Sequence, residues 1–202
     1  MILKIGRHMP EYAKIAPDSD LIEQARCDPA AFTRLYRRHY NAIFRYCAHR
    51  LFDRAAAEDV TSAIFLKVVR NFRGFRGDEQ AFQGWLYRIA TNEVNTHLRQ
   101  MVQQRKVLAG AAERLAAGAD CAESSPEDHA AKMAALRQAM FALKPRYQTI
   151  IALRFFEKMK LSDIAGILGG SPATVRSQLV RALAKLRKHM LAARKNALPE
   201  VR

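Results

Sequence analysis

From Phe32 to Leu51 apolar residues return at three- and four-residue steps: Phe32, Leu35, Tyr36, Ile43, Phe44, Cys47 and Leu51 lay one stripe along a long helix. A second stripe, Val60, Ile64, Phe65, Val68 and Val69, follows the polar stretch "FDRAAAEDV". A third helix is predicted from about Gln80 to Arg99, with Phe82, Trp85, Leu86, Ile89 and Ala90 inward. Three amphipathic helices of this length close a bundle. β-branched alternation is nearly absent and the 202 residues include only 9 Gly and 7 Pro, so the predicted fold class is all-α.

The pattern fades between about Gln100 and Glu127 into "VLAGAAERLAAGADCAESSPED", a small-residue stretch read as a flexible linker. Two small helical domains result: an N-terminal bundle over 18–100, a linker over 101–127 and a C-terminal piece over 128–192. After the Ser125-Pro126 start signal, Met133, Leu136, Met140 and Leu143 are expected to face inward. Pro145 restarts the chain as a helix carrying Tyr147, Ile150, Ile151 and Phe155. A short helix runs from Ser162, as N-cap, to Leu168; Gly169-Gly170 stops it, because glycine accepts the left-handed conformation needed there. Ser171 then caps a last helix with Pro172 at its first position.

Charge sharpens the picture. A formal net charge of +15 favours a polyanionic partner, since Lys and Arg that neutralise phosphates release condensed counterions. No apolar run approaches the roughly 20 residues of a spanning helix, and the N-terminus "MILKIGRHMPEYAK" lacks a secretory apolar core, so no membrane insertion is expected and the location predicted is cytoplasmic. Three scattered cysteines, Cys27, Cys47 and Cys121, suit neither a disulfide framework nor a zinc site. No carboxylate cluster, metal-spaced His/Cys set or phosphate-cradling glycine loop appears; no catalytic residue, metal or cofactor is predicted, and the protein is not expected to be an enzyme.

Two short helices joined by a tight glycine turn, with small Ala165 where they approach, are the arrangement of a DNA-reading helix-turn-helix. Along the second, Val175, Leu179, Leu183 and Leu186 form the packing stripe. Thr174, Arg176, Ser177, Gln178, Arg181 and Lys185 remain for DNA, and no acid occurs from Ser171 to Ala197. Arginine bonds guanine O6 and N7 bidentately, Ser and Gln reach other base edges, and lysines contact phosphates. A solvated basic helix in an ordinary bundle is the bland alternative; the caps, turn and global charge favour DNA.

A second surface lies in "NFRGFRGDEQAFQGWLYRIATNEVNTHLR". Arg88, Asn92, Asn95 and Arg99 fall at three- and four-residue steps opposite the Trp85, Leu86 and Ile89 stripe. A basic, amide-bearing face beside a loop holding Phe72 and Phe75 suits single-stranded DNA: arginine on phosphates, aromatic rings on unpaired bases, asparagine on an exposed base edge. Either phenylalanine serves equally well as a core residue closing the loop.

Both halves resemble the extracytoplasmic-function (ECF) sigma factors of bacterial RNA polymerase. "AAFTRLYRRHYNAIFRYCAHRL", "AEDVTSAIFLKVVRNFRGFRG" and "AFQGWLYRIATNEVNTHLR" look like successive parts of conserved region two, and "LKPRYQTIIALRFFEKMKLSDIAGILGGSPATVRSQLVRALAKLRK" looks like region four. The resemblance implies a protein without an active site that binds core polymerase and recognises promoter DNA. In the family the second region-two helix docks on the β′ coiled coil, which maps to Asp59, Ser62, Phe65 and Leu66; the family most often has Gln where this chain has Ser62. A β-flap contact is implied as well. Phe72, Phe75, Arg88, Asn92, Asn95 and Arg99 would meet the melted strand of the −10 element, with Asn92 at the pocket of a flipped base. Thr174, Arg176, Ser177, Gln178, Arg181 and Lys185 would read the −35 duplex. An anti-sigma factor is a further expected partner. The alternative reading is a helix-turn-helix regulator whose N-terminal bundle senses a ligand or dimerises.

Overall fold

Asp28 starts the first long helix: its carboxylate accepts from the backbone N–H groups of Ala30 and Ala31 at 2.8 and 3.2 Å, and Pro29 takes the first helical position. The computed structural model describes residues 21–112 and 128–196, with side chains at 21–104 and 133–192, and all regular structure among them is helical. The helices are α1 (Leu21–Gln24), α2 (Pro29–Leu51), α3 (Arg54–Phe72), α4 (Glu79–Ala112), α5 (Asp128–Phe141), α6 (Pro145–Ile151), α7 (Leu161–Leu168) and α8 (Pro172–Asn196). A wide π turn, Ala152–Phe156, extends α6. Asp53 and Asp78 repeat the capping device, accepting from Ala56 and Ala81 at 3.0 and 2.7 Å.

α2, α3 and α4 pack their apolar stripes into one core. Leu35, Ile43, Cys47, Val60, Ile64, Val68, Phe82, Leu86 and Ala90 are all buried, as their periodicity requires. Burial pushes the Cys47 thiol up to about 11, which keeps it protonated. An aromatic wedge closes the loop end of the bundle: Phe75 lies 5.6 Å from Phe82 and 5.1 Å from Trp85, and Phe82 meets Phe72 edge-on at 5.8 Å.

The C-terminal helices form a second layer. Lys158, in the left-handed region at φ 53, ends the π turn, and Arg154 Nη1 donates to the Met159 carbonyl at 2.8 Å to hold the reversal. Gly169 adopts φ 64 and the Gly170 N–H returns to the Ala165 carbonyl at 2.9 Å, the closure that glycine permits after a helix. Ser171 Oγ accepts from the Thr174 N–H at 3.1 Å and starts α8.

Several details differ from the sequence expectation. α4 continues to Ala112, a dozen residues into the expected linker, because Gln, Met, Arg, Lys, Leu and Ala are strong helix formers. Ser125, Pro126 and Cys121 lie outside the described residues. Ser162 does not cap α7: the helix begins at Leu161 after Lys160, and the serine hydroxyl instead donates to the Asp163 carboxylate. Phe155, Met133 and Leu183 are exposed rather than inward. On α8, Ala182 takes the buried position between Val175 and Leu186, since a small side chain lets α5 and α6 approach.

The halves also pack against each other. Tyr87 Oη on α4 donates to Glu157 Oε2 at 2.7 Å, and Arg45 on α2 lies 3.6 Å from the same oxygen. The His49 ring stacks on Phe156 with centroids 4.0 Å apart. Arg50, 1% exposed, donates to Gln148 of α6 and, at 2.7 Å, to Asn95 of α4. Tyr87 and Arg50 were missed as buried residues because their cover comes from the other half of the chain.

Candidate nucleic-acid and polymerase interfaces

The helix-turn-helix is built outward from Val175 and Ala165, both buried between α7 and α8. At about 100° per residue, Thr174, Ser177, Arg181 and Lys185 share one side of α8, and all four are exposed. Arg176 is also exposed but sits about 140° round the helix from Arg181, beside the packed stripe. The two arginines therefore leave the helix in different directions. Ser177 Oγ donates to the Thr174 carbonyl at 3.0 Å, which leaves its lone pairs outward. Gln178 is half-buried, its amide oxygen accepting from Arg146 Nε of α6 at 2.9 Å, so it braces the recognition helix against its neighbour. Lys185 Nζ lies 5.8 Å from the Tyr147 ring centroid, a cation–π contact that holds the ammonium beside the helix.

On α4, Arg88, Asn92 and Arg99 are exposed and Asn95 is half-buried. They form one wall of a cleft of about 480 Å³ whose opposite wall includes Arg146, Thr149 and Leu168. Arg99 donates to the Asn95 carbonyl and to Thr96, so its guanidinium lies along the helix. Phe72 and Phe75 differ from the expectation: they are 3% and 9% exposed within the aromatic wedge and have no free face for a base to stack on. A lone phenylalanine beside a glycine loop gives no signal to separate the two roles.

A third surface runs along α3. Asp59, Ser62 and Leu66 are exposed on one stripe with Val69, at steps of three, four and three. Leu66 and Val69 are 59% and 53% exposed, an adjoining apolar pair with no packing duty in the fold. Phe65 does not join them: it is buried, with its ring 4.7 Å from Tyr36 and 5.9 Å from Tyr40. Periodicity alone puts Val69 in the core, because it does not distinguish the edge of a stripe from its centre. Lys67 reaches Glu93 of α4 at 2.6 Å and fixes the tilt of this helix.

The junction between the halves is electrostatically distinctive. The Glu157 side chain is 3% exposed and its Oε1 has no hydrogen-bond partner. Desolvation raises its pKa, against the opposing effects of the Tyr87 hydrogen bond and the Arg45 charge. Tyr87 is raised in turn, by burial first and by the adjacent carboxylate second. Among the described residues no group of His, Cys, Asp and Glu is placed to hold a metal ion, and no helix is long and apolar enough to cross a membrane.

An all-helical fold with a helix-turn-helix in its C-terminal half is that of a DNA-binding protein, and comparison with known proteins agrees. The family model described as sigma-70 region 2 matches residues 35–105, and that described as sigma-70, region 4, matches 133–186. The ECF RNA polymerase sigma factor BldN of Streptomyces coelicolor is 34% identical over 184 residues, covering 85% of this chain and 68% of the relative. The RNA polymerase sigma-H factor of Pseudomonas aeruginosa is 31% identical over 180 residues, covering 82% and 89%. Among solved structures, CnrH, in complex with the cytosolic domain of CnrY, superimposes with a TM-score of 0.64 at 21% identity, covering 88% of this chain and 99% of that one. The sigma factor RpoE of Bartonella quintana, in complex with the anti-sigma factor NepR, gives 0.57 at 18% identity, covering 79% and 96%. The chain belongs to the ECF sigma factors of RNA polymerase. It is a transcription initiation factor that binds core polymerase and recognises promoter DNA, and the regulator with a sensing bundle is not favoured.

Proposed function

We propose a division of labour among the three surfaces in promoter recognition. Two modules, 18–100 and 128–192, carry it out. Leu66, Val69, Ser62 and Asp59 on α3 dock on the β′ coiled coil of core polymerase. Arg88, Asn92, Asn95 and Arg99 on α4 hold the melted non-template strand of the −10 element, with Asn92 reading a base turned out of the stack. On α8, Arg181, Thr174, Ser177 and Lys185 face the −35 duplex, Arg176 reaches it from the flank, and Gln178 braces the helix. The exposed pair Val180 and Leu183, away from the groove side, is available to the β flap. The observation that carries the reading is α8: one side is anchored by the buried Val175 and Ala182, and the neighbouring exposed side gathers Thr174, Ser177, Arg181 and Lys185.

Physically, one module binds paired DNA and the other binds strands that must first separate. Opening base pairs costs a few kcal/mol per flipped base, so capture of exposed bases offsets melting, and the tether raises effective concentration at the second site. The protein works by binding, with no reaction of its own, in the cytoplasm where polymerase and DNA are found. An anti-sigma factor is its regulator, and the exposed apolar residues Leu66, Val69 and Phe155 offer such a partner ready surface.

Run-off transcription with purified core polymerase tests the reading: adding the chain is expected to produce specific initiation, and no increase over core alone would overturn it. Asn92→Ala is expected to weaken strand opening by about 1–3 kcal/mol, the range of one base-edge contact, with upstream duplex binding retained. Permanganate reactivity of unpaired thymines measures the opening. Unaltered reactivity on linear and supercoiled templates would remove Asn92 from the site.

A further inference from the structure

Two clefts lie between α4 and the C-terminal half, and they meet at Arg88 and Ile167, which line both. The first, of about 480 Å³, carries Arg88 and Arg99 from α4 and Arg146 from α6. No carboxylate lines it, and among the described residues none of these arginines forms an ion pair. Unneutralised guanidiniums gathered around one small space favour an anion of several charges, which each can grip with paired N–H donors.

The second cleft, of about 600 Å³, has a different character. Trp85 packs on Phe75 and Phe82 at 5.1 and 5.8 Å but is only half-buried, and the rest of its indole borders the space. Gly84 and Gly166 form part of the same lining, each inside a helix. Neither has a left-handed backbone, and a Cβ at either would meet nothing within 4 Å. Glycine weakens a helix relative to alanine, yet neither backbone geometry nor packing calls for it here. What the two residues provide is room beside an aromatic ring. Asp78 and Asp163, also in the lining, can accept from amino or hydroxyl groups.

We propose that the joined groove is a binding site for a free nucleoside polyphosphate, with its base beside Trp85 and its phosphate chain on Arg88, Arg99 and Arg146. Clefts of this size suit one small ligand. Contact between a base and an aromatic ring is tolerant of base identity, because every base has a π face. A DNA strand strings single charges along its backbone, whereas a polyphosphate chain brings several into one cleft, and the arginine cluster matches the second. The site draws on Gly84, Trp85, Arg146 and Gly166, none of which the strand-binding role of α4 uses. Arg88 and Arg99 serve both, so a bound nucleotide and the melted strand exclude one another. That consequence alone rests on the assignment of α4 to the strand.

The test titrates the full chain with ATP and with GTP, without magnesium, and reads the fluorescence of Trp85, its single tryptophan. Saturable quenching is expected, with one nucleotide bound per chain by calorimetry. Inorganic tripolyphosphate, which lacks a base, is expected to bind about tenfold more weakly and to leave the emission unquenched. Gly166→Gln fills the part beside Trp85 and suits a helix better than glycine, so it is expected to weaken ATP binding about tenfold with helical circular dichroism unchanged. Gly84→Gln gives the same loss by an independent route. Arg146→Ala is expected to weaken ATP and tripolyphosphate alike, by about tenfold. Equal affinity for ATP and tripolyphosphate, untouched by both glycine variants, would reduce the groove to a nonspecific anion patch and overturn the proposal; so would the absence of saturable binding. Displacement of a labelled single strand of twelve nucleotides by ATP from the wild-type chain, lost in Gly166→Gln, supports the mutual exclusion. Saturable ATP binding without displacement would leave the site standing and overturn the shared use of Arg88 and Arg99.

Discussion

Leu66→Asp is expected to lower affinity for core RNA polymerase by about 2–4 kcal/mol, the range of a buried interface anchor, or roughly 30- to 1,000-fold. The size follows from where the side chain sits. Leu66 is exposed on the outer side of α3 beside Val69, and neither contributes to the bundle core. In a docked helix this pair loses its water, and an aspartate there either remains charged in an apolar contact or keeps the surfaces apart. The same exposure leaves the free protein's melting temperature unchanged. Val69→Ala, which removes apolar area without adding charge, is expected to cost about 1 kcal/mol. Anisotropy titration of labelled chain with core polymerase measures both. Wild-type affinity for Leu66→Asp would place the docking helix elsewhere.

Arg181→Ala is expected to weaken recognition of the upstream duplex by about 1–3 kcal/mol, with specificity relaxed at the base it contacts. Arg181 shares one exposed side of α8 with Thr174, Ser177 and Lys185, the side proposed to face the duplex. Arg176→Ala has an effect of the same order at a different base or phosphate, because its side chain leaves the helix on the flank. Their losses are expected to add, as for well-separated contacts. Lys185→Ala lowers affinity for every sequence alike and reduces the salt slope by about one. Competition between promoter and scrambled duplex separates these outcomes: an equal loss on both for Arg181→Ala would make it a phosphate contact.

Much of the architecture was legible in the chain. The stripe from Leu35 to Leu51, the Ser171 cap, Pro172 and the Gly169 turn all appear where local chemistry requires them, because each depends on residues within a turn or two of itself. The polar faces were legible in outline for the same reason: a face of Arg and Asn, or of Thr, Ser and Arg, at helical spacing stays a face in any packing of that helix. Misplaced residues sit at stripe edges. Phe65 turned inward and Val69 outward, although both belong to one periodic run. Phe72 and Phe75 joined the core once Phe82 and Trp85 were beside them.

Local chemistry by itself determined the helices, most of their ends, the division into two helical pieces and the polar faces they carry, since hydrophobic period, caps and charge act over a few residues. Only the tertiary structure decided which members of each stripe became surface. It also decided that Arg50 is buried against Gln148, Tyr87 against Glu157, and that the α4 face forms one wall of a cleft shared with the C-terminal half. Burial of a polar side chain depends on what approaches it from elsewhere in the chain, and for Arg50 that neighbour is 98 residues away.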